Sequence, residues 1–160
     1  FAGPKESKIP PPSLEEIATA VATTFVQDPP NTAPIGSQFE ITSSFGLRIH
    51  PIHKVKKMHY GCDMKAPMGT PVLATGAGVV EKVKVHKRGY GKHIIIAHDS
   101  IYTSMYAHLS EILVEEGQMV EAGDVIGKVG SSGSSYGPHL HYEILKCGHR
   151  VDPELYIPKP

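Results

Sequence analysis

From residue 38 onward the chain is a series of short β-rich runs separated by glycine and proline, and this pattern constrains the fold most. The runs "GVVEKVKVH" and "IYTSMYAHL" alternate, "KHIIIAH" is continuously apolar, and "DVIGKVG" and "HLHYEIL" complete the series. Such runs are typical of β-strands. The turn sequences "RGYG" at 88–91 and "HDS" at 98–100 predict that "GVVEKVKVH", "KHIIIAH" and "IYTSMYAHL" form an antiparallel meander. No long helix is indicated after residue 40, so we expect a mainly β fold.

The first part of the chain has a different composition. Seven of the fourteen prolines lie within the first forty residues, as in a tether. Here "SLEEIATAVATTF" predicts one short helix, because Ser13 and Glu16 have the spacing of a capping box. Its apolar residues recur at helical spacing, at Leu14, Ile17, Ala18, Val21 and Phe25. We therefore expect a Pro-rich N-terminal arm over 1–37, whose helix packs on the domain or covers a site, and one domain over 38–160.

Composition excludes some classes of partner. Sixteen basic and sixteen acidic residues cancel, so no global field draws the protein to nucleic acid or to an anionic membrane. No apolar run reaches the roughly 18 residues of a membrane span, and the first residues lack the pattern of a signal peptide, which we expect to be absent or already removed.

Cys62 and Cys147 fit one disulfide bridge or two buried thiols. Ten histidines are the one excess, and histidine is the commonest metal ligand.

Two segments have the residue types of a metal site. His139 and His141 lie one residue apart in a predicted strand, so both face the same side with Cα atoms about 6.6 Å apart. The segment "HYGCD" places His59 four residues before Asp63. A straight strand would separate their Cα atoms by about 13 Å, so a bend is required, which we expect Gly61 to permit through backbone conformations closed to other residues. Each segment alone also fits ordinary strand and turn residues.

Taken together, the two segments supply three histidines and one carboxylate, from which two histidines and the carboxylate can form one ligand set. This set is typical of a zinc site that keeps its fourth position open for water, whereas the cysteines lack the C-x-x-C spacing of structural zinc. If three of the four groups bind the metal, one histidine is left beside it to handle protons. Zinc lowers the pKa of a bound water to about 7, which suits attack on a carbonyl.

The ordered motifs "SSFGLRIHP", "HYGCD", "APMGTPVLATGAGVV", "YAHL", "GPHLHYE" and "VDPELYI" resemble the LytM/lysostaphin-type zinc metallopeptidases. The resemblance extends over roughly residues 40–157. It implies a compact, mostly antiparallel β-domain, bent-sheet or β-sandwich-like, within residues 38–160. It also implies an extracytoplasmic endopeptidase, periplasmic or secreted, that cleaves cross-bridges or stem peptides of bacterial peptidoglycan.

The same resemblance implies roles for five residues. His59, Asp63 and His141 would bind one zinc ion per chain, with a water in the fourth position. His108 and His139 would orient or deprotonate the water, stabilise the oxyanion and return a proton to the leaving amine. Which of the two histidines does which remains open. The other histidines have no expected role: His50, His53, His86, His93, His98 and His149.

Four further residues are candidates for the substrate groove. Ser135 and Tyr106 match positions that line the groove in the family, although turn formation for Ser135 and core packing for Tyr106 fit nearly as well. Tyr136 stands where a small hydroxyl residue is common, so it would narrow the groove or contact substrate. Arg48 would contact substrate carboxylates or hold a strand end by hydrogen bonds.

Two other functions compete with the endopeptidase. One is a cell-wall-binding or amidase-activating module that holds zinc without turnover, with the N-terminal arm over the groove and Asp28 or Asn31 capping the metal. The other is a phosphoryl carrier, because glucose-type phosphotransfer carriers also have a mainly β fold and a His-x-Gly-x-Asp segment, although the context of "GPHLHYE" fits them poorly. For an endopeptidase, a bond between D-amino acids and a glycine bridge both remain open.

Overall fold

The structure, a computed structural model, describes residues 11, 13–17, 29–36, 39–49 and 54–158. The predicted mainly β class is confirmed within these residues, and none of their helical segments is long and apolar enough to cross a bilayer. The elements are β1 (Glu40–Ser43), β2 (Gly46–Ile49), β3 (Lys56–His59), β4 (Cys62–Lys65), β5 (Pro71–Leu73), β6 (Gly78–Val85), β7 (Lys92–Ala97), β8 (Tyr102–Ile112), β9 (Met119–Val120), β10 (Val125–Val129), β11 (His139–Lys146), β12 (His149–Val151) and a 3-10 helix (Pro153–Leu155).

Among the described residues, ten strands form one antiparallel sheet and two form a separate hairpin. The main sheet runs in the order β1-β4-β11-β8-β7-β6-β9. Strand β10 pairs with both β5 and β8, and β12 pairs with β11. The predicted meander is confirmed, because β6, β7 and β8 are consecutive neighbours. The hairpin of β2 and β3 stands outside this sheet and precedes β4 in the chain.

The core is formed by alternate residues of the central strands. Met64 of β4, Leu140 and Ile144 of β11 and Ile94 of β7 are all fully buried. Each such aliphatic side chain stabilises the fold by about 1.5–3 kcal/mol. Because side chains alternate across a strand, packing these residues inward turns the intervening residues of β4 and β11 to the opposite face. That face carries the polar residues of the predicted site.

The described part of the N-terminal arm is only partly helical. Residues 14–17 are helical, and the predicted capping box is present: Ser13 Oγ accepts from the Glu16 N–H at 3.1 Å and Glu16 Oε2 from the Ser13 N–H at 3.2 Å. The rest of the predicted helix lies outside the described residues. Pro34 O accepts from the Leu73 N–H at 2.8 Å, and the buried Ile35 bridges to Val72. The segment just before residue 37 therefore packs along β5, while the domain boundary stays a prediction.

The two cysteines are not bonded to each other. Cys62 is buried on the core face of β4 and Cys147 is exposed after β11, and both are free thiols. The disulfide is therefore wrong, and so is the alternative of two buried thiols. Burial raises the pKa of the Cys62 thiol well above its ordinary value, so this side chain behaves as a small apolar group of the core.

Candidate active site

An open groove of about 650 Å³ lies over the polar face of β4 and β11. Strand β3 and the loops at residues 89–90 and 134–138 border it. All five residues that the family resemblance singles out line this groove: His59, Asp63, His108, His139 and His141. Residues far apart in sequence thus converge on one concave surface, as expected of an active site.

Strand register brings the three expected metal ligands together. Asp63 of β4 pairs directly with His141 of β11, and Asp63 Oδ1 lies 2.8 Å from His141 Nδ1. His59 ends β3, and its Nε2 lies 3.4 Å from the same oxygen. One donor atom from each residue lies within 4.8 Å of the other two. Metal bonds of about 2 Å would require only a small movement of these three side chains.

Glycine is required at position 61 for a different reason from the conformational freedom that the sequence indicates. Its backbone is not among the glycines with a positive φ, so the expectation of a special conformation is wrong. A Cβ at this position would lie 2.3 Å from Tyr142 O and 2.7 Å from Glu143 Cγ. The turn between β3 and β4 therefore needs glycine because β11 passes directly against it.

The charge state of the cluster follows from its hydrogen bonds. Burial raises the pKa of Asp63, but hydrogen bonds from His141 and His59 outweigh this and hold the pKa well below its usual range. Burial lowers the pKa of His141, yet its bonds to Asp63 and Glu143 raise it to about 9. Without a metal, Asp63 is ionised and His141 carries an extra proton at neutral pH. A cation bound at Nδ1 displaces that proton, so binding is coupled to proton release.

His141 also contacts a buried carboxylate that the sequence reasoning did not single out. Glu143 is fully buried, and its Oε2 lies 2.7 Å from His141 Nε2 and accepts from the Tyr90 hydroxyl at 2.7 Å. Its Oε1 accepts from Arg150 Nε at 2.7 Å. Burial raises the pKa of Glu143, but these three hydrogen bonds outweigh it, so the pKa is lowered. The ionised carboxylate fixes Nε2 as the protonated nitrogen and leaves Nδ1 for a metal.

His59 is oriented by weaker, more exposed contacts. Its Nδ1 lies 2.9 Å from Ser44 O and 2.9 Å from Arg48 Nη2. Arg48 also donates to Ser43 Oγ and to Ser44 O. Binding a metal through Nε2 requires the tautomer in which Nδ1–H donates to Ser44 O. Arg48 thus holds the end of β1 next to this carbonyl, and its contact with substrate remains a prediction.

His108 and His139 lie side by side next to the cluster, with ring centroids 4.9 Å apart. His139 Nδ1 lies 2.8 Å from Gly137 O, and its Nε2 lies 3.8 Å from Asp63 Oδ1. His108 Nδ1 lies 2.8 Å from Ser132 O. Burial lowers the pKa of His108, so it is neutral at pH 7. Each carbonyl accepts from Nδ1–H and leaves Nε2 able to hold or release a proton.

Tyr106 belongs to the core and does not line the groove. Its side chain is fully buried, and its hydroxyl accepts from the Thr75 N–H at 3.0 Å and from Ser104 Oγ at 2.7 Å. The predicted groove position of Tyr106 is therefore wrong, and core packing, the alternative from the sequence, is what the structure shows.

A bulge in β8 separates Tyr106 from His108. Lys92 pairs with Leu109 and Ile94 pairs with Tyr106, so two residues of β7 span three residues of β8. His108 lies in this bulge with a φ of 61°. In a regular strand Tyr106 and His108 would face the same side, whereas the extra residue turns His108 toward the groove. The sequence alone does not reveal the extra residue.

The loop before β11 forms one wall of the groove. Ser135 Oγ donates to Gly137 O at 2.8 Å and lies 3.2 Å from His139 Nδ1, so Ser135 braces the loop that holds this histidine. Tyr136 is fully exposed at the groove edge. Both side chains are placed where substrate contact is expected, and the contact itself remains a prediction.

Known proteins with the same sequence pattern share this domain. The profile of peptidase family M23 matches residues 57–153. The DD-carboxypeptidase/endopeptidase Mpg of Neisseria meningitidis is 46% identical over 121 residues, which are 75% of this chain and 28% of Mpg. The peptidoglycan DD-endopeptidase ShyA of Vibrio cholerae is 42% identical over 120 residues, 74% of this chain and 28% of ShyA. The chain thus spans under a third of the length of these relatives.

Two solved structures are similar to this chain in both fold and sequence. A zinc-containing peptidase from Vibrio cholerae superposes with a TM-score of 0.71 at 39% identity, covering 75% of this chain and 37% of that chain. The catalytic domain of lysostaphin from Staphylococcus simulans gives 0.66 at 31% identity, covering 74% of this chain and 91% of that domain. Because the profile matches more than half of the chain, the predicted relationship to lysostaphin-type peptidases is confirmed, and this chain belongs to peptidase family M23.

Proposed function

We propose that this protein is a zinc-dependent endopeptidase that hydrolyses peptide cross-links or stem peptides of bacterial peptidoglycan. The observation that carries the proposal is the cluster of His59, Asp63 and His141 within 4.8 Å, with His108 and His139 beside it in an open groove. The activities for which Mpg and ShyA are named support the same reaction class. Extracytoplasmic action follows from the location of such a substrate.

The donor set fits one zinc ion per chain. Two imidazole nitrogens and one carboxylate oxygen are the ligands typical of catalytic zinc, whereas magnesium and calcium favour oxygen donors. Glu143 behind His141 and Ser44 O behind His59 supply the hydrogen-bond acceptors that metal-binding histidines need. Bound zinc supplies a Lewis acid that polarises a carbonyl and activates water at neutral pH.

The protein's own proton-transfer groups are His108 and His139. Each keeps its Nδ1–H on a backbone carbonyl, so the remaining nitrogen, Nε2, is the atom that takes or gives a proton. The lowered pKa of His108 favours its neutral form. Neutral His108 can accept a proton at Nε2, and it can donate one from Nε2 only after it has become protonated. We expect the two histidines to deprotonate the water, stabilise the oxyanion and protonate the leaving amine. Kinetics of variants at each position would assign these roles.

The competing functions find less support. A zinc-holding module without turnover predicts a groove capped by the N-terminal arm, yet Asn31 does not line the groove, and Asp28 lies outside the described residues. The two proton-transfer histidines beside the metal cluster have no use in such a module. A phosphoryl carrier is not favoured by the match to peptidase family M23.

The test is digestion of purified cross-linked muropeptides, with products identified by mass spectrometry and zinc measured in the same sample. We expect about one zinc per chain, cleavage that stops on chelation, and recovery when zinc is added back. Preserved binding to cell walls with no cleavage of any muropeptide would favour the non-catalytic module. Cleavage that continues in the zinc-free protein would refute the proposed chemistry.

A further inference from the structure

We propose that Lys57 and Lys65 form a pair of carboxylate-binding residues that select anionic peptide cross-links over uncharged glycine bridges. The inference rests on the proposed endopeptidase function and names the substrate class of that same groove. Its basis is the presence of two lysines in the groove without a partner among the described residues, each two residues along a strand from a residue of the metal cluster.

The strand period places both lysines on the face of the metal ligands. Lys57 precedes His59 by two residues on β3, and Lys65 follows Asp63 by two residues on β4. Residues two apart in a strand face the same side, with Cα atoms about 6.6 Å apart. Both lysines line the groove, and Lys65 pairs in register with His139 of β11. A ligand at the metal cluster therefore lies in a groove that two cationic side chains also line.

Both ammonium groups are available to a ligand. Among the described residues, Lys57 and Lys65 are exposed and form neither an ion pair nor a hydrogen bond, although Glu40 is the register partner of Lys65 on β1. Two lysines outside the groove show the contrast: Lys128 pairs with Glu111 at 3.1 Å, and Lys92 donates to a backbone carbonyl. The lysines of the groove are therefore not needed to neutralise a neighbouring carboxylate.

The groove differs in charge from the rest of the protein. The whole chain has sixteen acidic and sixteen basic residues, whereas the described residues that line the groove include two lysines and a single carboxylate, Asp63. A divalent cation on Asp63 would make this surface more positive still. A local positive field raises the concentration of anionic ligands and orients them.

The chemistry of the substrate supplies the matching anion. In a direct cross-link between D-amino acids, the residue that provides the amine can keep a free carboxylate next to the scissile bond. The interior of a glycine bridge has no such group. A carboxylate bound by Lys57 or Lys65 fixes the peptide along the strands, so that the scissile carbonyl lies over the metal cluster.

Kinetics of matched variants test this proposal. The substrates are a cross-linked peptide with a free carboxylate next to the scissile bond, the same peptide with that group amidated, and pentaglycine. Lys57→Gln and Lys65→Gln are each expected to raise KM for the anionic peptide by about tenfold and leave kcat nearly unchanged, because a lysine that binds substrate and transition state equally affects binding alone. Lys→Arg variants at both positions should restore KM.

Lys56→Gln is the matched control, because Lys56 is exposed on β3 but does not line the groove. It should leave KM unchanged. For the amidated peptide, the wild type should already show the raised KM, with no further loss in either lysine variant. An unchanged KM in Lys57→Gln and Lys65→Gln, or an equal loss on both peptides, would overturn the proposal.

Binding measurements separate this proposal from the endopeptidase itself. Affinities of the zinc-loaded protein for the anionic and amidated peptides, measured by calorimetry, do not require turnover. Weaker binding of the anionic peptide by the two lysine variants would support the carboxylate site even if no peptide were cleaved. Equal affinities of the wild type for both peptides would reject it even if cleavage were rapid. Zinc content and melting temperature of each variant establish that it is folded.

Discussion

The two histidines of the proposed metal site are held in different ways. His141 is buried on a central strand, and its second nitrogen contacts the fully buried Glu143, which Tyr90 and Arg150 also bind. His59 is about one-fifth exposed at the end of the β2–β3 hairpin, where it donates to Ser44 O, a carbonyl to which the exposed Arg48 also donates. One side of the site is thus prearranged by the main sheet, whereas the other depends on a separate hairpin.

The hairpin has little apolar burial of its own. Leu47, Ile49 and Val55 are all more than half exposed. Elements with few buried contacts open more easily than the core of the same protein. A metal bound by His59 and His141 would therefore tie the hairpin to the main sheet, so metal binding should change the hairpin more than it changes β11.

Replacing the buried carboxylate should have the largest effect. Glu143→Gln keeps the volume but removes the charge that orients His141, so zinc affinity should fall by about 10- to 100-fold. Competition with a chelator of known affinity measures the change. The matched control is Glu154→Gln, because Glu154 lies in the 3-10 helix and does not line the groove. An affinity within twofold of wild type in Glu143→Gln would show that the buried network does not position the ligand.

The turn between the two ligand segments should be nearly as sensitive. Gly61→Ala places a methyl group against the backbone of β11 and should lower the free energy of unfolding by about 1–3 kcal/mol. Urea denaturation of the zinc-free protein measures it. Gly36→Ala is the control, since nothing lies within 4 Å of a Cβ there and its φ is not positive. Equal stabilities of the two variants would contradict the close approach at Gly61.

Zinc removal should separate the two sides of the site by hydrogen exchange. Amides of β2 and β3 should exchange about tenfold faster after chelation, because the hairpin loses its link to the sheet. Amides in the middle of β11 should change by less than about twofold. Equal acceleration in both elements would mean that the metal stabilises the whole domain uniformly.

The smallest effect is expected on the exposed side. Arg48→Met removes the donors to Ser43 and Ser44 and should weaken zinc binding by only a few-fold, since exposed polar contacts contribute about 0.2–1 kcal/mol. The chelator competition used for Glu143→Gln gives the direct comparison. A loss of zinc affinity as large as that of Glu143→Gln would show that His59 is held as firmly as His141.

The strands could be predicted because they depend on short-range patterns, whereas the grouping of His59, Asp63 and His141 was predicted from the family resemblance. Alternating apolar residues predicted β6, β8 and β11, and the period of two placed His139 and His141 on one face. The same period would have drawn attention to Glu143, two residues after His141. Tyr90 and Arg150 could not be found this way, because their contacts depend on the pairing of distant strands.

The errors have equally specific causes. Tyr106 was expected in the groove because it matches a groove-lining position of the family, and the bulge in β8 places it on a different face from His108. Gly61 was assigned a conformational role because glycine is permissive, whereas its neighbour in space, Tyr142, is 81 residues away in sequence. In both cases the deciding contact comes from tertiary structure and leaves no local signal.

We propose different tasks for the two histidines of "HLH", and a pair of alanine substitutions distinguishes them. Zinc content and muropeptide cleavage are measured together for His141→Ala and His139→Ala. We expect His141→Ala to lose both zinc and cleavage, and His139→Ala to keep about one zinc per chain while losing cleavage. Zinc retained with full cleavage in His141→Ala, or zinc lost in His139→Ala alone, would contradict the assignment.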